Sequence, residues 1–345
     1  MHPCQNDSRS FFQKLQSAKG LDLRDNRGKR HDLAIVLVGV TLAVLANRDG
    51  CLSSVHRHLV NHYPKLAEVL RIEKKSPVSR SQLPIILQRV SVEVFDSLIF
   101  VHFGVHLSDE QRKWFAIDGK ELRGSIESGA RRGEAIVQAV TQKDRQVAAQ
   151  DYYCGKKESE VPVVRKLLRD NGLSGQKISL DALHCKPKTL EIITQATGKY
   201  VVGLKSNQKH LLGQIERVVA EQGMLWKISE IEKGHGRIEQ RSYEFYDILE
   251  LETAERWKDC QLRTVVKVER WRKEVKTEKV SQETSYYLTN EVGNYEEMAK
   301  AIRRHWQVET NNHIRDVTLR EDALRSKKRN YKKQWRASEQ SPARC

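Results

Sequence analysis

The chain reads as an α/β protein: a mixed sheet covered by helices, with a β-rich segment at about 225–290, preceded by an all-α N-terminal domain. Three observations predict this. Up to about residue 110 the apolar residues recur at three-to-four spacing, the helical period. From Trp114 they fall in short runs, three in sequence and then alternating with helical patterns, as in a mixed sheet. Between about 225 and 290 long stretches alternate apolar and polar residues.

Taken in order, the unbroken apolar run 33–46 predicts a helix buried on most sides, closed by the turn residues Asn47-Arg-Asp-Gly50. It falls short of the ~20 residues that a bilayer span needs. Short helices are expected at about 52–62, 65–72, 80–90 and 92–106, with Ser79-Arg-Ser-Gln82 resembling a capping box before the third. Beside the basic loop 24–30, these helices could form a helix-turn-helix reader of DNA or a plain bundle, and both readings stay open. His56, His58 and His62 share one helical stretch, but no further ligand pair is evident, so an exposed polar face explains them better than zinc.

The stretch 114–125 delivers Asp118 from an apolar strand to Gly119, and the bases Lys120 and Arg123 follow. A carboxylate at a strand end is held rigidly, a glycine admits a close neighbour, and the two bases attract an anion. Further strands are expected at 135–141, 145–153, 177–181 and 200–204, with helices at about 160–171 and 187–196. Asp118 and Asp181 then both lie at strand ends, where ligands bind in open α/β sheets. The alternating runs 237–246, 262–271 and 283–288 suggest an antiparallel sheet of their own. That sheet opens with Lys233-Gly-His-Gly-Arg237, either a basic hook for a backbone phosphate or a plain hairpin turn. A helix is expected from Tyr295 to Asp316, with Ile302, Trp306, Glu309 and His313 on one face. A carboxylate on an apolar face calls for a buried partner or a metal. The basic segment 325–336 carries seven bases and no acid, and reads as a disordered, nucleic-acid-attracting tail.

With 61 Lys and Arg against 45 acids and a formal charge of +16, the expected partner is a polyanion, and nucleic acid is favoured over a membrane. The six cysteines have no paired spacing and read as reduced thiols. No signal pattern opens the chain, so a cytoplasmic protein is expected. Three distant carboxylates, two on strand ends and one on a helix, are what two-metal phosphoryl transfer requires. All-oxygen donors favour magnesium, and Mn2+ is expected to substitute for Mg2+.

Several segments resemble, in order, the successive motifs of the H-repeat-associated group of insertion-sequence DDE transposases. They are Phe115-Ala-Ile-Asp118-Gly-Lys-Glu-Leu-Arg-Gly-Ser125, Ile178-Ser-Leu-Asp-Ala-Leu-His-Cys185, Val202-Gly-Leu-Lys-Ser-Asn-Gln208, His235-Gly-Arg-Ile-Glu239, His305-Trp-Gln-Val-Glu309 and Asp316-Val-Thr-Leu-Arg-Glu-Asp322. The resemblance runs from about 20 to about 325, and segment 24–46 is similar to the helical domain preceding the catalytic domain in that group. It implies a helical N-terminal domain at 1–110 and a ribonuclease H-like catalytic domain at 111–325, with the β-rich insertion between the second and third acids. Residues 326–345 would form an altered basic tail.

By the same resemblance, Asp118, Asp181 and Glu309 are the catalytic metal ligands. Lys120, Arg123, Lys205, Arg237, His305 and Trp306 are contacts to DNA or the active site. The implied activity is cleavage of transposon ends and strand transfer into target DNA, and its partners are the element's terminal repeats and the target. Two ends to be cut suggest a homodimer.

Departures are also present. Ile302, His305 and Asp316 stand where the wider class often has Tyr, Arg and Lys, while Thr310 and Ile314 replace an expected Asn and Trp. After Arg325 the basic tail replaces an expected apolar helix, which reads as a truncation or frameshift that would impair activity. The alternatives are an inactive remnant that binds DNA, and a ribonuclease H-like nuclease.

Overall fold

The computed structural model describes residues 9–46, 48, 51–73, 76–103, 114–126, 131–154, 159–249, 251 and 253–317. The expectations for the basic tail at 325–336, and for most of the turn at 47–50, fall outside the described residues. The chain divides into two compact units, one of 1–106, 121–134 and 312–345, the other of 107–120 and 135–311.

In the first unit, α1 (Phe11–Ser17), α2 (Leu33–Leu45), α3 (Leu52–Val69), α4 (Gln82–Leu87) and α5 (Val92–Phe103) follow one another. Leu37, Val40, Leu59, Leu83 and Phe95 lie in one apolar core. Helix α2 is buried on most sides, as its unbroken apolar run requires. The two helices expected at 52–62 and 65–72 are one, because α3 runs straight through Pro64. A proline inside a helix costs about 3 kcal/mol. Val55, Leu59, Tyr63 and Ala67 form a buried stripe at four-residue spacing that holds the helix together across it. Ser79 does accept from the Gln82 backbone N–H at 3.3 Å. A reciprocal capping box, which sequence reading passed over, joins Ser10 and Gln13 at the start of α1. In the basic loop, Arg24 turns inward onto the Asp22 carboxylate.

In the second unit the order is β1 (Phe115–Glu121), β2 (Glu134–Thr141), β3 (Val147–Cys154), α6 (Glu160–Asp170), β4 (Lys177–Leu180), α7 (Pro187–Gln195), β5 (Lys199–Leu204) and α8 (Lys209–Glu221). It continues through β6 (Trp226–Gly234), β7 (Arg237–Asp247), β8 (Thr264–Glu274), β9 (Val280–Thr289), α9 (Tyr295–Arg304) and the first half of α10 (Gln307–Val317). The described strands form one sheet in the order β3-β2-β1-β4-β5-β9-β8-β7-β6. Strand residues alternate between faces. Tyr200 and Val202 pack with the buried residues of α6, α7 and α8, while Val201 packs with Met298, Ala299 and Ile302 of α9. The buried Tyr200 hydroxyl donates to the Cys260 carbonyl at 2.8 Å. Cys51, Cys185 and Cys260 are free thiols.

Two expectations change here, and the backbone form of a segment left open above is now defined. The β-rich segment is not a sheet of its own, because β9 pairs antiparallel with β5, from Val201↔Thr289 to Leu204↔Tyr286. Strand β5 is buried, and without β9 its edge would leave backbone groups unpaired. The segment 233–237 is a hairpin turn between β6 and β7, with Gly234 paired to Arg237 and both His235 and Gly236 at positive φ. The helix expected at 295–316 breaks after Arg304. His305 N–H reaches back to Ile302 and Val308 N–H to His305, tightening the turn. The break lets Val308 pack on Ala116 and Val140.

Candidate active site

Asp118 and Asp181 owe their relation to the register of two adjacent parallel strands. Ile117 of β1 pairs with Leu180 of β4, so the next residue of each strand is an acid at the same level. Asp181 follows β4 directly and caps the 3-10 turn Ala182–His184, its Oδ1 accepting from the Leu183 N–H at 3.0 Å. Asp118 lies within β1 rather than at its end, since the strand runs on to Glu121. Glycine in a strand often marks a close neighbour. At Gly119 the neighbour is Glu160, whose Oε2 occupies the space where a Cβ would stand.

The Asp118 carboxyl is pushed up from its ordinary 3.8 to about 7. Removal from water is the largest cause, followed by the charges of Glu160 and Asp181; Glu309 adds to them, and the Gly119 N–H opposes. The fold therefore gathers Asp118, Asp181 and Glu309 into one electrostatic neighbourhood, together with a fourth carboxylate. Sequence reading missed Glu160. Its signal was available: a helix that runs back before a parallel strand starts at that strand's carboxyl end, and Glu160 is the first residue of α6.

Glu309 sits in the first turn of α10 and is exposed. The face shared by Trp306, Glu309 and His313 is the open one, whereas Ile302, before the break, is buried. The buried partner expected for Glu309 on an apolar face is therefore not required.

The segment after β5 supports this site. Lys205 is exposed. Asn207 donates from Nδ2 to the Ala182 carbonyl at 2.6 Å, and Gln208 donates from Nε2 to the Cys185 carbonyl at 2.9 Å. These two amides hold the turn that carries Asp181.

Of the remaining candidates, Lys120 is buried in β1, and Arg123 is exposed at the start of the 3-10 turn Arg123–Ser125. Arg237 is exposed at the hairpin, with its Nε 3.7 Å from Glu239. Trp306 is 42% exposed, and the Arg303 guanidinium lies over its ring at 5.4 Å. His305 is turned toward β4, its Nδ1 2.9 Å from Ser179 Oγ. Removal from water and the nearby His184 push its pKa down to about 4, so the imidazole is neutral at physiological pH.

Among the described residues no three His, Cys, Asp or Glu converge tightly enough to hold a metal ion as they stand. The donor set nevertheless fits a hard divalent cation. It is all carboxylate oxygen, and the cost of crowding these charges, visible at Asp118, is what a cation would relieve.

A strand order with two acids level on adjacent parallel strands, helices on both faces and a β-rich insertion before α9 defines an α/β protein of the ribonuclease H-like class. Within that class, a model of the transposase DDE domain matches residues 109–337, more than half of the chain, and the protein belongs to that family.

Among curated proteins, the chain is 28% identical over 236 residues to the putative protein YbfL of Escherichia coli (strain K12), covering 65% of this chain and 61% of that one. It is 24% identical over 322 residues to the H repeat-associated putative transposase YhhI of the same strain, covering 90% and 83%. It is 30% identical over 230 residues to the putative transposase YncI of Escherichia coli O157:H7, covering 62% and 57%. The matches thus span about three fifths of the length of YbfL and YncI.

Proposed function

We propose that the chain is a metal-dependent DNA transposase that cuts the ends of its element and joins the freed 3′ hydroxyl to target DNA. The observation that carries this reading is the level placement of Asp118 and Asp181 on adjacent parallel strands, within reach of the charge of Glu309. These three residues would hold Mg2+, or Mn2+ in its place. When bound, such ions supply a water of lowered pKa and Lewis acidity at the phosphodiester.

The chain's own residues do the rest. Strand β1 fixes Asp118, while Asn207 and Gln208 fix the turn bearing Asp181. His305, bonded to Ser179, fixes the start of α10 and with it Glu309. Exposed Lys205, Arg123 and Arg237 take phosphates, Lys120 adds positive charge beside Gly119, and exposed Trp306 offers a stacking face to a base. Two ends require two such sites, which a homodimer supplies.

The test uses the purified protein and an Asp118→Asn variant, incubated with Mg2+ and labelled DNA carrying the element's terminal repeats. We expect 3′-end nicking and joining by the parent and neither by the variant. Cutting without joining by the parent would point to a nuclease. Salt-sensitive binding without cleavage by either folded protein would leave the DNA-binding remnant.

A further inference from the structure

Glu160 combines three features that a solvated acid at a helix start does not need. Its Oε1 is 2.8 Å from Nε2 of His184, a side chain that is fully buried. Its Oε2 makes no hydrogen bond among the described residues and lies over Gly119, in the space a β-carbon there would fill. His184 also approaches Asp181, with its Nε2 3.8 Å from Oδ1. The buried imidazole thus binds Glu160 and stands close to Asp181 without hydrogen-bonding it.

An acid in the first turn of α6 would be favoured by the helix dipole while remaining in water. That accounts for an acid at this position but not for its anchor. Burying a histidine to hold one oxygen of a carboxylate and leave the other uncommitted is how metal-binding carboxylates are oriented by a surrounding shell. The glycine fits the same purpose: an alanine at 119 would displace Oε2 from its place beside Asp118. His184 Nδ1 has no hydrogen-bond partner among the described residues. A carboxylate oxygen accepts, so in the pair with Glu160 it is Nε2 that donates.

We infer that Glu160, anchored by His184 and admitted by Gly119, is a fourth carboxylate that holds the divalent cation beside Asp118. This rests on the metal-dependent reading above and adds to it a residue outside the Asp118, Asp181 and Glu309 set. Glu160 then contributes directly to cation affinity, His184 is its positioning residue, and the absence of a side chain at 119 is a condition for both.

The experiment is calorimetric titration of the full, EDTA-stripped chain with Mn2+, in the absence of DNA. The variants are Asp118→Asn, Glu160→Gln, Glu160→Asp and Gly119→Ala, each checked for a parent-like circular-dichroism spectrum and melt. Glu160→Gln and Gly119→Ala are expected to raise the Mn2+ dissociation constant ten- to a hundredfold. Glu160→Asp keeps the charge but shortens its reach, and is expected to fall between them and the parent. Should Glu160→Gln fail to melt cooperatively, Glu160→Asp decides in its place.

If Asp118→Asn weakens Mn2+ binding while the folded Glu160 variants titrate like the parent, the inference is overturned and the metal-dependent reading stands. If the parent takes up no Mn2+, or if Asp118→Asn leaves uptake unchanged, both are overturned.

Discussion

Asn207 shows how a residue outside the acidic set can govern it. Its Nδ2 satisfies the Ala182 carbonyl at 2.6 Å, one residue beyond Asp181. Asn207→Ala leaves that carbonyl with the Cys185 N–H as its remaining donor and should cost about 0.5–1.5 kcal/mol in denaturant unfolding. It should also lower cleavage while leaving DNA affinity unchanged, because the residue acts on the position of Asp181. Two further residues give the protein opposing responses to pH. The folded-state pKa of Asp118 is raised from 3.8 to about 7, so between those values the folded state binds more protons than the unfolded one. Its contribution to stability is present at low pH and is lost as pH rises through that window. His305 is lowered from 6.5 to about 4, so there the unfolded state binds more protons, and stability is lost as pH falls from 6.5 toward 4. In melts without divalent ions, Asp118→Asn should therefore gain most over the parent near pH 7 and little near pH 4. His305→Gln should compare best with the parent near pH 4 and worst above 6.5.

The pairing of β5 with β9 is the junction that makes one sheet of two sequence segments. Leu288 of β9 is fully buried there, opposite Val202 of β5 and Val265 of β8. Leu288→Ala removes apolar contacts from the middle of a continuous sheet and should cost about 2–5 kcal/mol, with the β-rich strands and the central strands melting together. Two separate transitions by near- and far-UV circular dichroism would mean that the two parts of the sheet are energetically independent. The strands from β1 to β5 were legible within a few residues, because short apolar runs bounded by polar turns have little alternative. The sequence of β9 also announced a strand. Its partner could not be read, since alternation specifies which face of a strand is buried and carries no information about which strand lies beside it. The break between α9 and α10 was hidden for a related reason. Ile302, Trp306, Glu309 and His313 keep helical spacing across it, and the turn is set by where Val308 finds a cavity wall in Ala116 and Val140.

At the scale of the whole molecule the formal charge of +16 dominates. Binding to DNA should weaken steeply as salt rises, because each neutralised phosphate releases a counterion. Lys205→Ala and Arg237→Ala should each reduce the slope of log affinity against log salt by about 1, with the loss spread evenly across DNA sequences. Filter-binding or anisotropy titrations at several salt concentrations measure this directly, and an unchanged slope would remove that residue from the interface. Among the described residues no helix is long and apolar enough to cross a membrane, and the longest apolar run, α2, is used inside the first unit's core.

What the sequence determined by itself is the class of fold, the order of most elements, and Asp118, Asp181 and Glu309 as the acids to watch. Period and turn chemistry are local properties, and the three acids stand in ordered motifs. What only tertiary structure decided is which groups share a neighbourhood. The Ile117↔Leu180 register makes Asp118 and Asp181 level, and the entry of α6 over Gly119 adds Glu160, 42 residues from the first acid along the chain. The buried His184 that anchors it looked like any histidine in a turn. Distances between side chains depend on strand register and helix entry, which are fixed by packing across the whole sheet and leave no mark on any one segment.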